Sequence, residues 1–398
     1  MSVSAIPNLE TLVPILGVSY SPVPSDDTPA PPQKYFDTDF TNSTFPLIWG
    51  TDNSGRGDVK TLSDSGVNFL HLYNWSVPPA PGSSPGDYQR DHLPFLKECG
   101  ARNVKAFVPI SNYFLGQIHQ GNGATVKADI LAMVTEVYDN KPTSLPTGAG
   151  MWGIGNEYDL AGALFDVNDV VTAIEYLVDA ENSLGIPAAN TLPVTSPVSF
   201  AKPNTLPPGV VAIQNLQTAI EASTALGSKG CKFWSSRFAA STNPFNDGAY
   251  LKNYIDTDFP QYFPDLPFFF AEMGFPIIAG TNVSTPAEQA AFVKAQLAAS
   301  MHRKNFLGCC VFQFLDQSAM KTGSEATFGM TKYSGTISTT GTIPSGYTPG
   351  GGDTYPVDVL SKKPLYTSVE DSYLAQSLPL GPGPVIPAHV TEEVLVHT

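Results

Sequence analysis

The sequence predicts a closed (β/α)8 barrel, and three observations carry that expectation. Short, almost continuously apolar runs alternate with stretches of helical spacing along most of the 398 residues. Apolar strands separated by helices mean a parallel sheet covered on its outer face. Eight such units fit a closed ring better than an open sheet, and no Gly-rich phosphate fingerprint follows the first run, as a dinucleotide-binding sheet would require.

The strands are expected at Ile15–Tyr20, Val67–Tyr73, Val104–Ile110, Gly150–Gly155, Pro193–Ser199, Cys231–Ser236, Pro267–Glu272 and Gly308–Phe314. Helical spacing covers Asp58–Ser65, Gln89–Cys99, Thr125–Tyr138, Val167–Leu184, Val210–Leu226, Ala249–Phe259 and Thr285–Lys304, with Tyr366–Gln376 closing the ring. The seventh helix opens on "TPAE", where Thr285 can cap, Pro286 suits the first turn and Glu288 can reach back. Two regions stand outside the alternation. The loop Ser21–Gly57 is too long for an ordinary strand-to-helix connection and is expected to shape the barrel mouth. The Pro-rich tail Ser377–Thr398 reads as an extended arm, so the barrel domain is placed at residues 1–376 and the arm at 377–398, with the arm a means of homo-oligomer contact.

Composition excludes several functions. A formal charge of −15, with no cluster of Lys and Arg, is wrong for nucleic acid. Cys99, Cys231, Cys309 and Cys310 have no metal-ligand spacing, and the six histidines form no HExxH-like pair, so no metal and no cofactor is expected. Adjacent Cys309 and Cys310 should face opposite sides of a strand. No apolar run is long enough to span a bilayer. The first residues lack the basic segment and cleavage site of a secretory signal, which places the chain in the cytosol unless it is exported otherwise or has lost a leader. Asn42, Asn74 and Asn282 match the N-glycosylation pattern, which has meaning only on a secretory route.

Chemistry in such a barrel gathers at the carboxyl ends of the strands. The residues there are Tyr20, Tyr73, Asn74, Trp75, Asn112, Tyr113, Asn156, Glu157, Ser196, Trp234, Arg237, Glu272 and Gln313, with Asp316 and Gln317 just beyond. Two glutamates stand out: Glu157 follows "MWGIGN" after the fourth run, and Glu272 closes "PFFFAE" at the seventh. Strands four and seven face each other across a barrel mouth. Two carboxyl groups about 5–5.5 Å apart are what retaining glycoside hydrolysis needs, one to protonate the leaving oxygen and one to attack the anomeric carbon.

The stretches "WGIGNEYDL" and "PFFFAEMGFP" resemble the fourth- and seventh-strand signatures of clan A glycoside hydrolases. The likeness extends through "LGVSYSPVPSDD", "DVKTLSDSGVNFLHLYNW", "HLPFLKECGARNVKAFVPI" and "YLKNYIDTDFPQYFPDLPFFFAEMGFP", roughly residues 13–375. Within the clan the chain is most similar to fungal cell-wall β-1,3-glucanosyltransferases and related β-glucan-active enzymes. The resemblance implies Glu157 as acid/base, Glu272 as nucleophile and Asn156 as the partner of the sugar 2-hydroxyl. Tyr20, Tyr73, Trp75, Tyr113 and Trp234 would then supply flat surfaces for pyranose rings, and Asn112, Arg237 and Gln313 would line the substrate. Three positions depart from the clan. His71 stands where the second strand usually carries Arg; "FWSSRFAAS" offers Arg237 and Phe238 where the sixth carries Asn and Tyr; and "FQFLDQ" lacks the Trp of the eighth.

The leading expectation is a retaining glycosidase or transglycosidase acting on a β-linked, glucan-like polysaccharide. The alternative is a catalytically weakened barrel with a structural or carbohydrate-binding role. A phosphate-handling aldolase barrel is disfavoured, because no Gly-rich loop follows the seventh or eighth run.

Overall fold

In a computed structural model of the protein, residues 6–21, 46–51, 54–75, 92–201, 206–226, 228–317, 321–342, 352 and 354–377 are described. The tail beyond Ser377, the loop from 22 to 45 and Asn42 lie outside them.

Nine parallel strands form one sheet: β1 (Ile15–Ser19), β2 (Phe69–His71), β3 (Lys105–Ile110), β4 (Ala149–Ile154), β5 (Val194–Thr195), β6 (Pro197–Ser199), β7 (Ala240–Asn243), β8 (Phe268–Met273) and β9 (Phe306–Val311). β1 pairs with both β2 and β9, and pairing continues from each side until it reaches β5 and β6. Those two are one stave, interrupted only at Ser196: β5 holds β4 and β6 holds β7. The ring therefore closes as eight staves, the (β/α)8 barrel that the alternation predicts.

One expected stave is displaced. Cys231–Ser236 is part of a helix, Ser228–Arg237, and the sixth stave is Ala240–Asn243. Phe233 and Arg237 lie four apart, which is helical spacing, whereas "ASTN" carries almost no apolar signal. Its four residues are all buried, because Ser241 meets Thr195 inside the barrel, hydroxyl to hydroxyl at 2.7 Å.

Two apolar shells divide the side chains of each strand. Ile15, Phe69, Phe107, Met151, Phe269 and Cys310 fill the interior, while Leu16, Leu70, Val108, Trp152, Phe270 and Cys309 pack against the helices. Cys309 and Cys310 thus face opposite sides, as expected. The interior has room for Phe107 only because Gly153 has no side chain: a Cβ there would sit 1.8 Å from the ring. At the amino-terminal end of the staves, Ile6, Leu9 and Leu12 plug the barrel floor. Asn8 holds this plug by donating to the carbonyls of Ala189 (3.0 Å) and Thr191 (2.9 Å). The floor is closed, so the opposite end is the one left for chemistry.

The outer helices match the periodic stretches. Thr285 caps the helix Pro286–Ala299, its hydroxyl accepting from the Glu288 amide at 3.2 Å, and Glu288 reaches back to the Ser284 amide. The last helix, Pro364–Ser377, buries Leu365, Val369 and Tyr373 along one face, and the Tyr373 hydroxyl donates to the Gly17 carbonyl at 2.7 Å. Unforeseen in the sequence is an antiparallel hairpin, β10 (Thr331–Thr342) with β11 (Thr354–Lys362), set between the eighth stave and that helix. Its first strand, rich in Thr and Ser, is largely exposed and so lacks the apolar alternation by which a strand is recognised. Buried Lys363 anchors the hairpin's end, donating to Asp316 (2.9 and 3.1 Å) and to the Thr327 carbonyl (3.0 Å). Asp316 also accepts from the Gly329 amide at 2.7 Å, so it fixes a turn.

The Gly153–Phe107 contact yields a test. Gly153→Ala forces a methyl group into a filled interior and should lower stability by about 1–3 kcal/mol in chemical denaturation. Adding Phe107→Leu should recover part of that loss.

Candidate active site

Glu157 and Glu272 reach a common cleft by two different backbone devices. After β4 the chain turns through Gly155 (φ 63°) and Glu157 (φ 54°), both left-handed. That conformation costs a non-glycine residue energy and swings Glu157 over the barrel mouth. The Glu157 amide donates to the Pro197 carbonyl at 2.8 Å, which pins the turn to the fifth stave. Glu272 needs another device. Phe269 and Ala271 point into the barrel, so simple alternation would turn Glu272 outward to the helices. The pairing of β8 with β9 shifts register between Phe270 and Met273. An irregularity of this kind re-aims a side chain, and Glu272 lines the cleft while only 6% exposed.

Three amides tie the carboxylates together. Asn156 donates to Glu272 (3.2 Å), and Asn243, the last residue of β7, donates both to Glu157 (3.0 Å) and to the Asn156 side-chain oxygen (3.1 Å). Asn112 completes the frame: it donates to the Asn156 carbonyl (2.9 Å) and accepts from the Asn156 amide (2.7 Å). The Glu157 carboxyl is held above the usual range, chiefly by burial and further by the negative charges of Asp159 and Glu325, against the opposing hydrogen bond from Asn243. It can therefore keep a proton where an exposed glutamate would have lost it.

The cleft measures about 510 Å³. Tyr73, Asn112, Tyr113 and Asn156 line it together with both glutamates, as the strand-end reading expected. His71, Phe245 and Phe312 line it too. His71 occupies the place where clan A enzymes usually carry Arg. Its Nδ1–H donates to the Ala271 carbonyl at 2.8 Å, one residue before Glu272, and its ring lies between Tyr73 and Phe107. Burial pulls the imidazole down to about 4, so at neutral pH it positions the strand without adding a charge. Phe312 stands near the end of the eighth stave as an aromatic wall, and Lys321 lies 5.3 Å from its ring centroid.

Five expected site residues lie elsewhere. Tyr20 is buried in the outer core, its hydroxyl donating to Asp58 at 3.1 Å, because the residue after β1 turns toward the first helix. Trp75 is buried against His92, with its indole donating to Glu136 at 3.0 Å. Trp234 and Arg237 were placed by the displaced sixth stave. Both belong to a helix that precedes β7, so they cannot follow its carboxyl end: Trp234 stacks on Phe238, and Arg237 forms a buried ion pair with Glu181 and donates to the Leu192 carbonyl. Gln313 is buried, 3% exposed, and does not line the cleft.

The same displacement hid two residues of the site: Phe245, which lines the cleft, and Asn243, which holds Glu157 and Asn156 by hydrogen bonds. "ASTNPF" offered one signal, an Asn–Pro pair ending a run of small residues. The sixth stave therefore does supply the clan's asparagine, but Phe245 presents a ring without a hydroxyl. Among the described residues no group of three or more His, Cys, Asp and Glu could hold a metal ion, and no helix is long and apolar enough to cross a membrane.

An eight-stave barrel with one glutamate after the fourth stave and another on the seventh is the framework of clan A glycoside hydrolases. No family model matches the chain, and no curated protein matches it in sequence. Its backbone is similar to that of a family 2 β-galacturonidase from Eisenbergiella tayi, at 16% identity and TM-score 0.45, covering 80% of this chain and 46% of that one. It is also similar to plant β-glucan endohydrolases (14%, TM-score 0.48, covering 69% and 91%). A family 113 β-mannanase from Alicyclobacillus acidocaldarius is a third (14%, TM-score 0.43, covering 83% and 93%). The chain spans less than half the length of the galacturonidase.

The raised carboxyl of Glu157 has a consequence for stability. A folded pKa above the unfolded one means that stability falls as pH rises from about 4.5 through the folded value. Glu157→Gln removes the charge that burial opposes while keeping an acceptor for Asn243. Its melting temperature should exceed that of wild type at pH 7, and the two should converge near pH 4.

Proposed function

We propose that the protein is a retaining glycoside hydrolase or transglycosidase acting on a β-linked, glucan-like polysaccharide. The observation that carries this reading is the amide chain from Glu157 through Asn243 and Asn156 to Glu272, which sets two carboxyl groups of different environment on one cleft. Glu157, with its raised pKa, gives its proton to the leaving oxygen while the Glu272 carboxylate bonds to the anomeric carbon and the glycosidic bond breaks. Glu157 then takes a proton from water or an acceptor hydroxyl as that oxygen attacks the same carbon and frees Glu272. In this reading Asn156, whose amide donates to Glu272 in the free protein, donates to the sugar 2-hydroxyl, and Tyr73 and Tyr113 offer ring faces to the pyranose. Water as acceptor gives hydrolysis; a sugar hydroxyl gives transfer.

A second reading, a weakened barrel that binds glycan without turning it over, rests on the residues around Glu272. Neutral His71 replaces a cation, and Phe245 cannot donate a hydrogen bond.

Kinetics on a panel of β-glucans, mannans and galactans separates the two. Glu272→Gln should cut turnover by several orders of magnitude while sugar binding persists. Glu157→Gln should harm substrates with poor leaving groups most, since an activated aryl group needs little protonation. Azide should partly rescue Glu157→Ala on an aryl glycoside, giving a glycosyl azide of retained configuration. Wild type as inert as Glu272→Gln across the panel would leave only the binding role.

The acid role also fixes a sign in the pH profile. Burial does most to hold the Glu157 proton, and the charges of Asp159 and Glu325 add to it by repulsion. In Glu325→Gln the alkaline limb of kcat/KM should move to lower pH, and an unmoved or raised limb would show that another group sets it.

A further inference from the structure

Two glutamines are buried on the inner face of the helix Pro286–Ala299. Gln289 and Gln296 are both fully buried and lie two turns apart, with Val293 and Leu297 buried beside them. Such a face is ordinarily apolar. Each side-chain amide donates twice, to backbone carbonyls of two different loops. Gln289 donates to Phe275, after the seventh stave, and to Thr327, after the eighth, both at 2.8 Å. Gln296 donates to Asn246, after the sixth stave, at 2.7 Å and to Gly274, after the seventh, at 3.2 Å. Among the described residues neither side-chain oxygen has a partner. An apolar side chain of equal volume would be buried at lower cost, so packing alone does not account for the two amides.

The anchored carbonyls lie next to residues of the cleft. Asn246 follows Phe245, Gly274 stands two residues beyond Glu272, and Thr327 ends the 3-10 helix Gly323–Thr327 that carries Glu325. Phe245, Glu272 and Glu325 all line the cleft. We propose that Gln289 and Gln296 are positioning residues that clamp the loops after the sixth, seventh and eighth staves and hold Phe245, Glu272 and Glu325 in one frame. The effect on turnover rests on the glycosidase reading; the clamp itself does not. The frame also sets the charge around Glu157. Its carboxyl shares the cleft with Glu272, His71, Glu325 and Lys321, and Asp159 lies on its own loop. Asp159 is tied to Ser199, so Glu325 is the repelling neighbour whose distance Gln289 controls. The Thr327 carbonyl also accepts from Lys363 at 3.0 Å, which leaves the loop one tether when Gln289 is changed.

The test titrates the full chain with isotope-labelled glutamate carboxyl carbons followed by NMR, the Glu157 signal being the one lost in Glu157→Gln. Gln289→Met keeps the volume but removes both donors. The freed loop should let Glu325 recede and lower the Glu157 midpoint. Gln289→Asn, one methylene too short to reach both carbonyls, should lower it as well, and it carries the test if Gln289→Met does not fold. Adding either change to Glu325→Gln should lower the midpoint no further than Glu325→Gln does alone. Val293→Ala, on the same face but with no hydrogen bond to a loop, should cost melting temperature and leave the midpoint in place. A midpoint unmoved by both Gln289 changes would overturn the clamp. So would an equal shift in Val293→Ala, or a full further shift on top of Glu325→Gln. None of this needs turnover, so such a failure leaves the glycosidase reading standing. On any β-glycoside that wild type cleaves, Gln296→Met should lower kcat about tenfold while KM stays within about twofold. An unchanged kcat would remove Gln296 from the clamp. Wild type inert on every glycan would end the glycosidase reading and leave the titration to decide the clamp.

Discussion

Two carboxylates share this barrel mouth, and the contact that links their positions is the side chain of Asn243. One amide group donates to Glu157 and to the Asn156 oxygen together, which leaves the Asn156 nitrogen free to turn toward Glu272. Hydrogen bonds to a charged group contribute about 1.5–3 kcal/mol each, and more when the partner would otherwise be buried alone. Removal of Asn243 would therefore disturb both glutamates at once. The stave that carries it is short and polar, and its Ser241 hydroxyl is bonded to Thr195.

Closure of the ring makes that network possible. The fifth stave is split at Ser196 into a half that holds β4 and a half that holds β7. Ser196 donates its hydroxyl to the Ile154 carbonyl at 2.7 Å, so the interruption is stitched to the neighbouring strand. The Glu157 amide bonds to Pro197 on the same stave. The left-handed turn that presents Glu157 thus leans on the place where the barrel closes. Strain at Glu157 and register shift at Glu272 are both local departures from regular geometry, and both occur where a side chain must leave the alternation of its strand.

Around Glu272 the protein has exchanged charge for packing. His71 is stacked, buried and neutral, and its hydrogen bond goes to the backbone beside the glutamate. Phe245 and Phe312 surround the same space with rings, 6.3 Å apart between centroids and close to perpendicular. Such surroundings fix the geometry of the Glu272 carboxylate more than they tune the potential around it.

The sequence by itself determined the alternation of strands and helices, seven of the eight staves, and both glutamates with Asn156, Asn112, Tyr73 and Tyr113. It could do so because burial on both faces leaves an apolar run, and because the Asn–Glu pair and the lone Glu directly end such runs. Only the tertiary structure decided the rest. "ASTN" is buried against Thr195 and carries no apolar signature, so the sixth stave was misplaced onto a helix, and Trp234 and Arg237 were drawn into the site with it. Tyr20 directly follows its strand, and Trp75 comes only two residues after Tyr73. The direction of the next few backbone bonds, set by Asp58 in one case and by Glu136 and His92 in the other, takes their rings into the core. Strand-end position is a property of sequence, but the side on which a ring emerges depends on partners dozens of residues away.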